Sequence, residues 1–253
     1  MIKIENAEVF GWEAAIRGMR NPLESWEKSD SQWWCIHAGV VPIDCETCYD
    51  HCDPLADIEY RIGKNDLDLM KRLRNAGSDH GKFMRMITVY LDITAPLYWW
   101  KEFDTYKVGT VVNSCSTMHT IHKKKFELDD FSHEHMNKFS LNILKETIHQ
   151  LEYCRRAYLE SKDTDEKKGY WWQLIQLLPS SYNQKRTVML NYEVLRNIYH
   201  ARKNHKLDEW HDFCDRVDGL PYSKLITGKE RVLEYASKPG LAYAAAPVFR
   251  LGC

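Results

Sequence analysis

The chain has 253 residues, of which 44% are hydrophobic and 28% are charged, so it holds enough apolar material for a globular core. Its 35 basic and 36 acidic residues give a formal net charge of −1, which does not favour an extended surface for a nucleic-acid polymer. No apolar run approaches the roughly 20 residues that a membrane helix needs, and the start of the chain does not resemble a signal peptide. We therefore expect a soluble, cytoplasmic protein whose eight cysteines are reduced.

The predicted elements mix a few strands with more numerous helices. Met84–Thr94 is the clearest strand, because apolar residues alternate there with more polar ones. The other predicted elements of the amino-terminal half are strand Met1–Phe10, helix Gly11–Arg20, an irregular Trp- and Cys-rich segment at about 21–60, helix Asp66–Ala76, and a helix that starts at Thr94-Ala95-Pro96.

The carboxyl-terminal half is predicted to be mostly helical. The expected elements are helix Ser140–Leu159, a charged linker at Ser161–Gly169, helices Gln173–Pro179, Arg186–His205 and Leu207–Val217, and a poorly ordered tail from about 238. We interpret residues 1–253 as one α+β domain with helices packed on a small, mainly antiparallel sheet.

A cluster of thiols and imidazoles in the Trp- and Cys-rich segment suggests one possible metal site. Cys45, Cys48, His51 and Cys52 are residue types that bind zinc tetrahedrally. A structural zinc site usually has two well-separated ligand pairs, whereas these residues crowd into one stretch. Reduced cysteines in a loop are therefore favoured, and we predict no metal site.

The helix predicted at Arg186–His205 carries two polar residues on an otherwise apolar face. Asn191 and Arg202 share that face with three aliphatic residues at helical spacing. A buried Arg202 would need an anionic partner, because an unpaired buried charge is costly. The alternative is that both residues lie near the helix ends and reach solvent.

A polar loop at Asn113–His119 offers hydroxyl and backbone N–H donors of the kind that bind phosphate. His80, just before the clearest strand, is more often a structural residue than a catalyst at such a place. Each of these signals is weak when taken alone.

Together these residues resemble the flavin-dependent thymidylate synthases in order and spacing. His80 takes the His of that family's Gly-His-x-Ser/Thr segment, Glu102 takes the Gln of its Gln-x-x-Arg-His-Arg motif, and Thr105-Tyr106-Lys107 takes the Arg-His-Arg. Asn113–His119 overlays the family's Asn-Glu-x-Ser-x-Arg-Tyr loop. Leu178-Pro179 precedes a helix whose Asn191, Asn197 and Arg202 match two flavin-side asparagines and an arginine that contacts uracil.

The resemblance implies a homotetramer that binds a small-molecule nucleotide and folate. Its expected reaction is reductive methylation of dUMP to dTMP, with FAD as cofactor, methylenetetrahydrofolate as carbon donor and NADPH as reductant. It implies a catalytic Arg202, and substrate binding by Arg202, Glu102, Lys107, Ser114 and Ser116. The implied cofactor-binding residues are His80, Lys107, Asn191 and Asn197.

The sequence also departs from the family at several anion-binding positions. Lys107 is the only cation left of Arg-His-Arg, Ser114 replaces a Glu, and Met118, Ile175 and Glu193 stand where the family has arginines. A flavin-free or repurposed nucleotide-binding protein on the same fold is therefore an alternative, as is, less favoured, a zinc-binding module.

Overall fold

The computed structural model describes residues 2–35 and 58–229. The expected α+β class is confirmed. The strands are β1 (Lys3–Phe10), β2 (Gln32–Cys35), β3 (Ile58–Arg61), β4 (Thr88–Pro96), β5 (Val111–Ser114) and β6 (Asn183–Asn191). The helices are α1 (Trp12–Arg20), α2 (Lys64–Asn75), α3 (Leu97–Phe103), α4 (Lys138–Glu160), α5 (Thr164–Leu177), α6 (Tyr192–Arg202), α7 (Asp208–Asp218) and α8 (Lys224–Thr227).

A four-stranded antiparallel sheet in the order β1-β4-β6-β5 forms the centre of the fold. On β4, Val89, Leu91, Ile93 and Ala95 are fully or almost fully buried, as the alternating sequence predicts. Each buried valine, leucine or isoleucine side chain stabilises the fold by roughly 2 kcal/mol relative to an exposed one. Helices α1, α2, α3, α6, α7 and α8 contribute to the core on this face of the sheet.

A second, smaller apolar cluster lies between α4 and α5, where Leu144, Leu151 and Leu174 are buried. The linker predicted at Ser161–Gly169 was wrong beyond its first three residues. The Asp163 side chain accepts the backbone N–H groups of Asp165 and Glu166, each at 2.9 Å, and so begins α5 at Thr164. The many charged residues correctly indicated that this stretch is exposed to solvent. They gave no sign that one of them, Asp163, caps a helix.

The boundary predicted for the following helix was also wrong. Residues from Arg186 to Asn191 belong to β6, and α6 begins at Tyr192. Arg186, Met189 and Leu190 are good helix formers, but pairing with β4 and β5 overrides that local preference. The Thr94-Ala95-Pro96 segment likewise stays in β4, and α3 begins only at Leu97.

A buried ion pair joins α1 to α2. Nε of Arg20 donates to Oδ1 of Asp66 at 2.6 Å, and the two residues are 3% and 0% exposed. Nη1 and Nη2 of Arg20 also donate to the backbone carbonyls of Ser25 and Lys28, both at 3.0 Å. The pair therefore has the additional hydrogen bonds that a buried charge requires.

The carboxylate of Asp66 holds the start of β2 as well. It accepts hydrogen bonds from the hydroxyls of Ser29 and Ser31 at 2.8 and 2.6 Å. Burial alone raises the pKa of Asp66, but the hydrogen bonds from Ser31, Ser29 and Arg20 outweigh it, so that the pKa is lowered. Asp66 is thus held as a carboxylate.

Candidate functional site

The α3 carboxylate of Glu102 is the centre of a polar cluster between α3, α6 and α7. Its Oε2 accepts from Nη1 of Arg202 at 2.7 Å and from the indole Nε1 of Trp210 at 3.0 Å. Nε2 of His205 lies 3.3 Å from the same oxygen. We call Glu102, Tyr106, Arg202, His205 and Trp210 the Glu102 cluster. It brings together residues that are up to 108 positions apart in the chain.

The Arg202 guanidinium is held in a defined position within this cluster. Its Nε donates to the Tyr106 hydroxyl at 2.9 Å, and its central carbon lies 4.9 Å from the centre of the Trp210 ring. The Arg202 side chain is 18% exposed. Arg202 is therefore partly buried, and Glu102 is the anionic partner that it meets.

Trp210 joins the Glu102 cluster to the apolar core beneath it. It is 0% exposed and packs against Trp99, with the ring centres 4.6 Å apart, and against Phe103 and Phe213. Aromatic packing of this density leaves the indole little freedom, so its N–H points steadily at Glu102. The Glu102–Arg202 pair is preorganised by the apolar core beneath it.

His205 was not predicted from the sequence. Its Nδ1 accepts the backbone N–H of Leu207 at 3.2 Å, so the neutral imidazole carries its proton on Nε2 and donates it towards Glu102. The available signal was its position at the end of the helix predicted at Arg186–His205, but α6 ends at Arg202, so the loop after the helix and not helical spacing brings His205 to Glu102. Tyr106 falls within the Thr105-Tyr106-Lys107 match to the family's Arg-His-Arg but was not predicted as a site residue, and neither was Trp210.

The two asparagines are placed differently from Arg202. Asn191 caps α6, because its Oδ1 accepts the N–H groups of Glu193 and Val194, both at 3.1 Å. Asn197 is exposed on the outer side of α6. The helix therefore presents Asn197 and Arg202 on different faces. Glu193, next to the cap, is paired with Arg85, whose Nη2 lies 3.1 Å from Oε1.

The remaining predicted residues lie at the edges of the sheet and on loops. Lys107 and His80 are exposed, and Ser114 ends β5 opposite Arg186. The Ser116 hydroxyl oxygen accepts the backbone N–H groups of Met118 and His119 at 3.2 and 2.9 Å. The described contacts give none of these predicted residues a hydrogen bond to the Glu102 cluster.

Arg186 links the Ser114 edge to α3. Its Nη1 donates to Oδ1 of Asp104 at 2.8 Å, and its guanidinium lies 4.2 Å from the centre of the Trp100 ring. Asp104 follows Glu102 by two residues. The start of the polar loop is thus attached to the same helix end that carries the Glu102 cluster.

The cysteines and histidine considered for zinc (Cys45, Cys48, His51 and Cys52) lie outside the described residues. Within residues 2–35 and 58–229, no group of three or more metal-ligating side chains is placed together. No helix in these two ranges is long and apolar enough to cross a membrane.

Solved structures with the same fold support the predicted resemblance. Two crystal structures of the flavin-dependent thymidylate synthase ThyX from Helicobacter pylori, with FAD and dUMP, align with TM-scores of 0.58 and 0.56 at 17% identity. They cover 89% and 90% of this chain and 97% of theirs. A UMP/dUMP methylase, PolB from Streptomyces cacaoi, bound with 5-Br dUMP, aligns with a TM-score of 0.50 at 12% identity, over 87% of this chain and 89% of its own.

No protein-family model and no curated protein matches the sequence. The similarity therefore lies in the arrangement of the elements rather than in overall sequence. The chain has the fold of the flavin-dependent thymidylate synthases.

Proposed function

We propose that the protein is a divergent flavin-dependent enzyme that reductively methylates dUMP to dTMP, with methylenetetrahydrofolate as carbon donor and NADPH as reductant. The observation that carries the proposal is the preorganised Arg202 guanidinium, held by Glu102, Tyr106 and Trp210 in a fold whose solved examples bind dUMP. The proposal includes a cytoplasmic homotetramer.

Arg202 is the proposed catalytic residue because its charge suits the chemistry of a uracil ring. Addition of a nucleophile to the ring, conjugate to a carbonyl group, places negative charge on a uracil carbonyl oxygen. A guanidinium that is already fixed stabilises this charge without reorganising during the reaction. Glu102 and Trp210 would fix the direction in which the remaining N–H groups of Arg202 point.

Glu102 and the polar edge of the sheet would complete the nucleotide site. The second carboxylate oxygen of Glu102 would orient the base or sugar, since the described contacts use only Oε2. Lys107, Ser114 and Ser116 would bind the phosphate. Ser116 already accepts two backbone N–H groups, which leaves its hydroxyl proton to donate to a phosphate oxygen.

The residues present also fit a flavin. Oδ1 of Asn191 is used by the helix cap, so its amide NH₂ would be the group that donates to the ring. Asn197 and His80 are exposed and available, and Arg85 neutralises the negative charge that Glu193 brings to this region. The cofactor would supply the hydride chemistry that protein side chains lack.

Rescue of a thymidine-requiring bacterial strain tests the proposal. We expect the wild-type gene to restore growth without thymidine and Arg202→Ala to fail at equal expression. Arg156→Ala, which removes an exposed arginine on α4, is the matched control and should rescue. A purified wild-type protein that neither rescues nor binds FAD, measured by flavin absorbance and calorimetry, would sink the flavin-dependent function.

A nucleotide-binding protein without flavin is the second candidate. Two observations favour it over a flavoenzyme. Glu102 already neutralises the charge of Arg202 within the cluster, and Met118, Ile175 and Glu193 stand at positions where the family has arginines. A thermal shift separates the two candidates, because a ligand present at 100 times its Kd adds about 2.7 kcal/mol of apparent stability. Stabilisation by dUMP without any by FAD would support this second candidate.

A further inference from the structure

The outer face of α6 carries basic side chains that the proposed function has not used. Arg196, His200 and Lys203 follow one another at i, i+4 and i+7, so they form one stripe on the side away from the core. Arg74 of α2 lies beside the stripe, and Nη1 of Arg196 donates to its backbone carbonyl at 3.3 Å. We call these four residues the α6 cation cluster.

Uncharged oxygens are the acceptors that this cluster finds in the described part of the chain, and Nη1 of Arg74 donates to Oδ1 of Asn75 at 2.9 Å. Nε and Nη2 of Arg74 donate to the carbonyls of Leu225 and Ile226 at the end of α8, at 3.2 and 3.3 Å. Across residues 2–35 and 58–229, no carboxylate forms an ion pair with Arg74, Arg196 or Lys203. The positive charge of the cluster is therefore uncompensated by acidic side chains in the part of the chain that the structure describes.

The cations also affect one another. The pKa of His200 is lowered, first by burial and then by the charges of Arg74, Lys203 and Arg196. Burial and the charge of Arg196 lower the pKa of Arg74. Like charges held this close destabilise each other, and a bound anion would relieve the repulsion.

We propose that Arg196, His200 and Lys203, supported by Arg74, form a binding site for the diphosphate of a nucleotide-type ligand. Arg196, which is partly buried, and Lys203, which is exposed, are about 10 Å apart along the helix axis, a span that two long side chains can close around adjacent phosphates. Exposed Asn197 precedes His200 by three residues and lies beside the stripe. The shared chemistry is a diphosphate, supplied either by FAD or by a simple nucleoside diphosphate.

The link to FAD depends on the proposed function. If Asn191 and Asn197 donate to the flavin ring, the rest of the cofactor extends along this face of α6. The α6 cation cluster would then take over the phosphate binding for which Met118, Ile175 and Glu193 are unsuited. This chain would then bind the diphosphate with basic residues at different positions from those the family uses.

Isothermal titration calorimetry at low ionic strength tests the site, with FAD, ADP and riboflavin as probes. One variant is Lys203→Gln, and the second combines Arg196→Gln with Lys203→Gln. Arg74 is left unchanged because it also holds α8, and its loss would disturb the fold. Arg72→Gln, an exposed arginine of α2, is the matched control. Urea unfolding of each variant confirms that it is folded at the temperature of the titration.

We expect the double variant to bind FAD and ADP at least tenfold more weakly than the wild type, with riboflavin binding and Arg72→Gln unchanged. Equal FAD affinity in the wild type and the double variant would overturn this site while leaving the flavin-dependent function standing. A third outcome is that ADP binding depends on Arg196 and Lys203 while FAD binds no more tightly than ADP. That result would support the diphosphate site and count against a flavin-dependent function. Binding of neither FAD nor ADP at millimolar concentration would overturn the site.

Discussion

Replacement of Glu102 by glutamine tests how strongly the Glu102 cluster is held together. Glutamine keeps the shape of the side chain and one acceptor oxygen, but it removes the charge that faces Arg202 at 2.7 Å. A hydrogen bond to a charged group contributes roughly 1.5–3 kcal/mol, compared with 0.5–1.5 kcal/mol for a neutral one. We therefore expect the free energy of unfolding to fall by about 1–2 kcal/mol, and towards the lower value because the Glu102 side chain is 34% exposed.

Urea denaturation of a double-mutant cycle measures this interaction directly. The cycle combines Glu102→Gln with Arg202→Met, and we expect a coupling energy of about 1–2 kcal/mol between the two positions. The ion pair between Asp68 and Lys71 on α2, with 3.9 Å between its charged atoms, is the control. Its coupling should stay near 0.2–0.5 kcal/mol, the usual range for exposed helix pairs.

One result would refute this account of the cluster. If the Glu102→Gln and Arg202→Met changes add within about 0.3 kcal/mol, the two side chains do not stabilise each other in solution. The proposed preorganisation of Arg202 would then have to rest on Tyr106 and Trp210 alone.

Three further predictions concern stability and thiol reactivity. Asp66→Asn should lower the free energy of unfolding by about 3–5 kcal/mol in guanidinium denaturation, because it leaves the buried charge of Arg20 unpaired; a loss below 1 kcal/mol would contradict a buried pair. Because the pKa of Asp66 is lowered on folding, its contribution to the free energy of unfolding is complete above about pH 4 and should be lost as the pH falls further. The free energies of unfolding of the wild type and of Asp66→Asn, measured at a series of acidic pH values, should therefore converge below about pH 4. Asp163→Ala should cost about 1 kcal/mol through loss of the α5 cap, and an unchanged urea midpoint would exclude that cap. Iodoacetamide with mass-spectrometric mapping should label exposed Cys115 quickly at pH 8, whereas Cys214, whose pKa burial raises to about 11, should react only in the unfolded protein; equal labelling rates would contradict this.

Local patterns in the sequence predicted the parts of the fold that depend on local order. The alternation around Leu91 indicated β4, and the apolar stripe around Leu151 indicated α4. Thr164 at the start of α5 was missed because its cap depends on a single side chain in a charged stretch. The Arg186–Asn191 part of β6 was missed because its strand state depends on pairing with β4 residues that lie 93 to 103 positions earlier in the chain.

The candidate site shows the same limit. The spacing along α6 and the resemblance together drew attention to Arg202, but neither could show which anion it meets. Glu102, Tyr106 and Trp210 come from other elements and converge on Arg202 only through the packing of α3 against α6 and α7. His205 is close in sequence, but its role depends on the tautomer that the Leu207 N–H selects. Such contacts follow from tertiary structure and not from motif order.

The β2–β3 ladder is tied to α2 through one carboxylate. Cys35 pairs with Ile58 across this ladder, so two parts of the chain that are 23 positions apart lie side by side. Asp66 of α2 accepts hydrogen bonds from the backbone N–H and the hydroxyl of Ser31, the residue that directly precedes β2. A change at Asp66 should therefore loosen the pairing of β2 with β3 as well as the contact between α1 and α2.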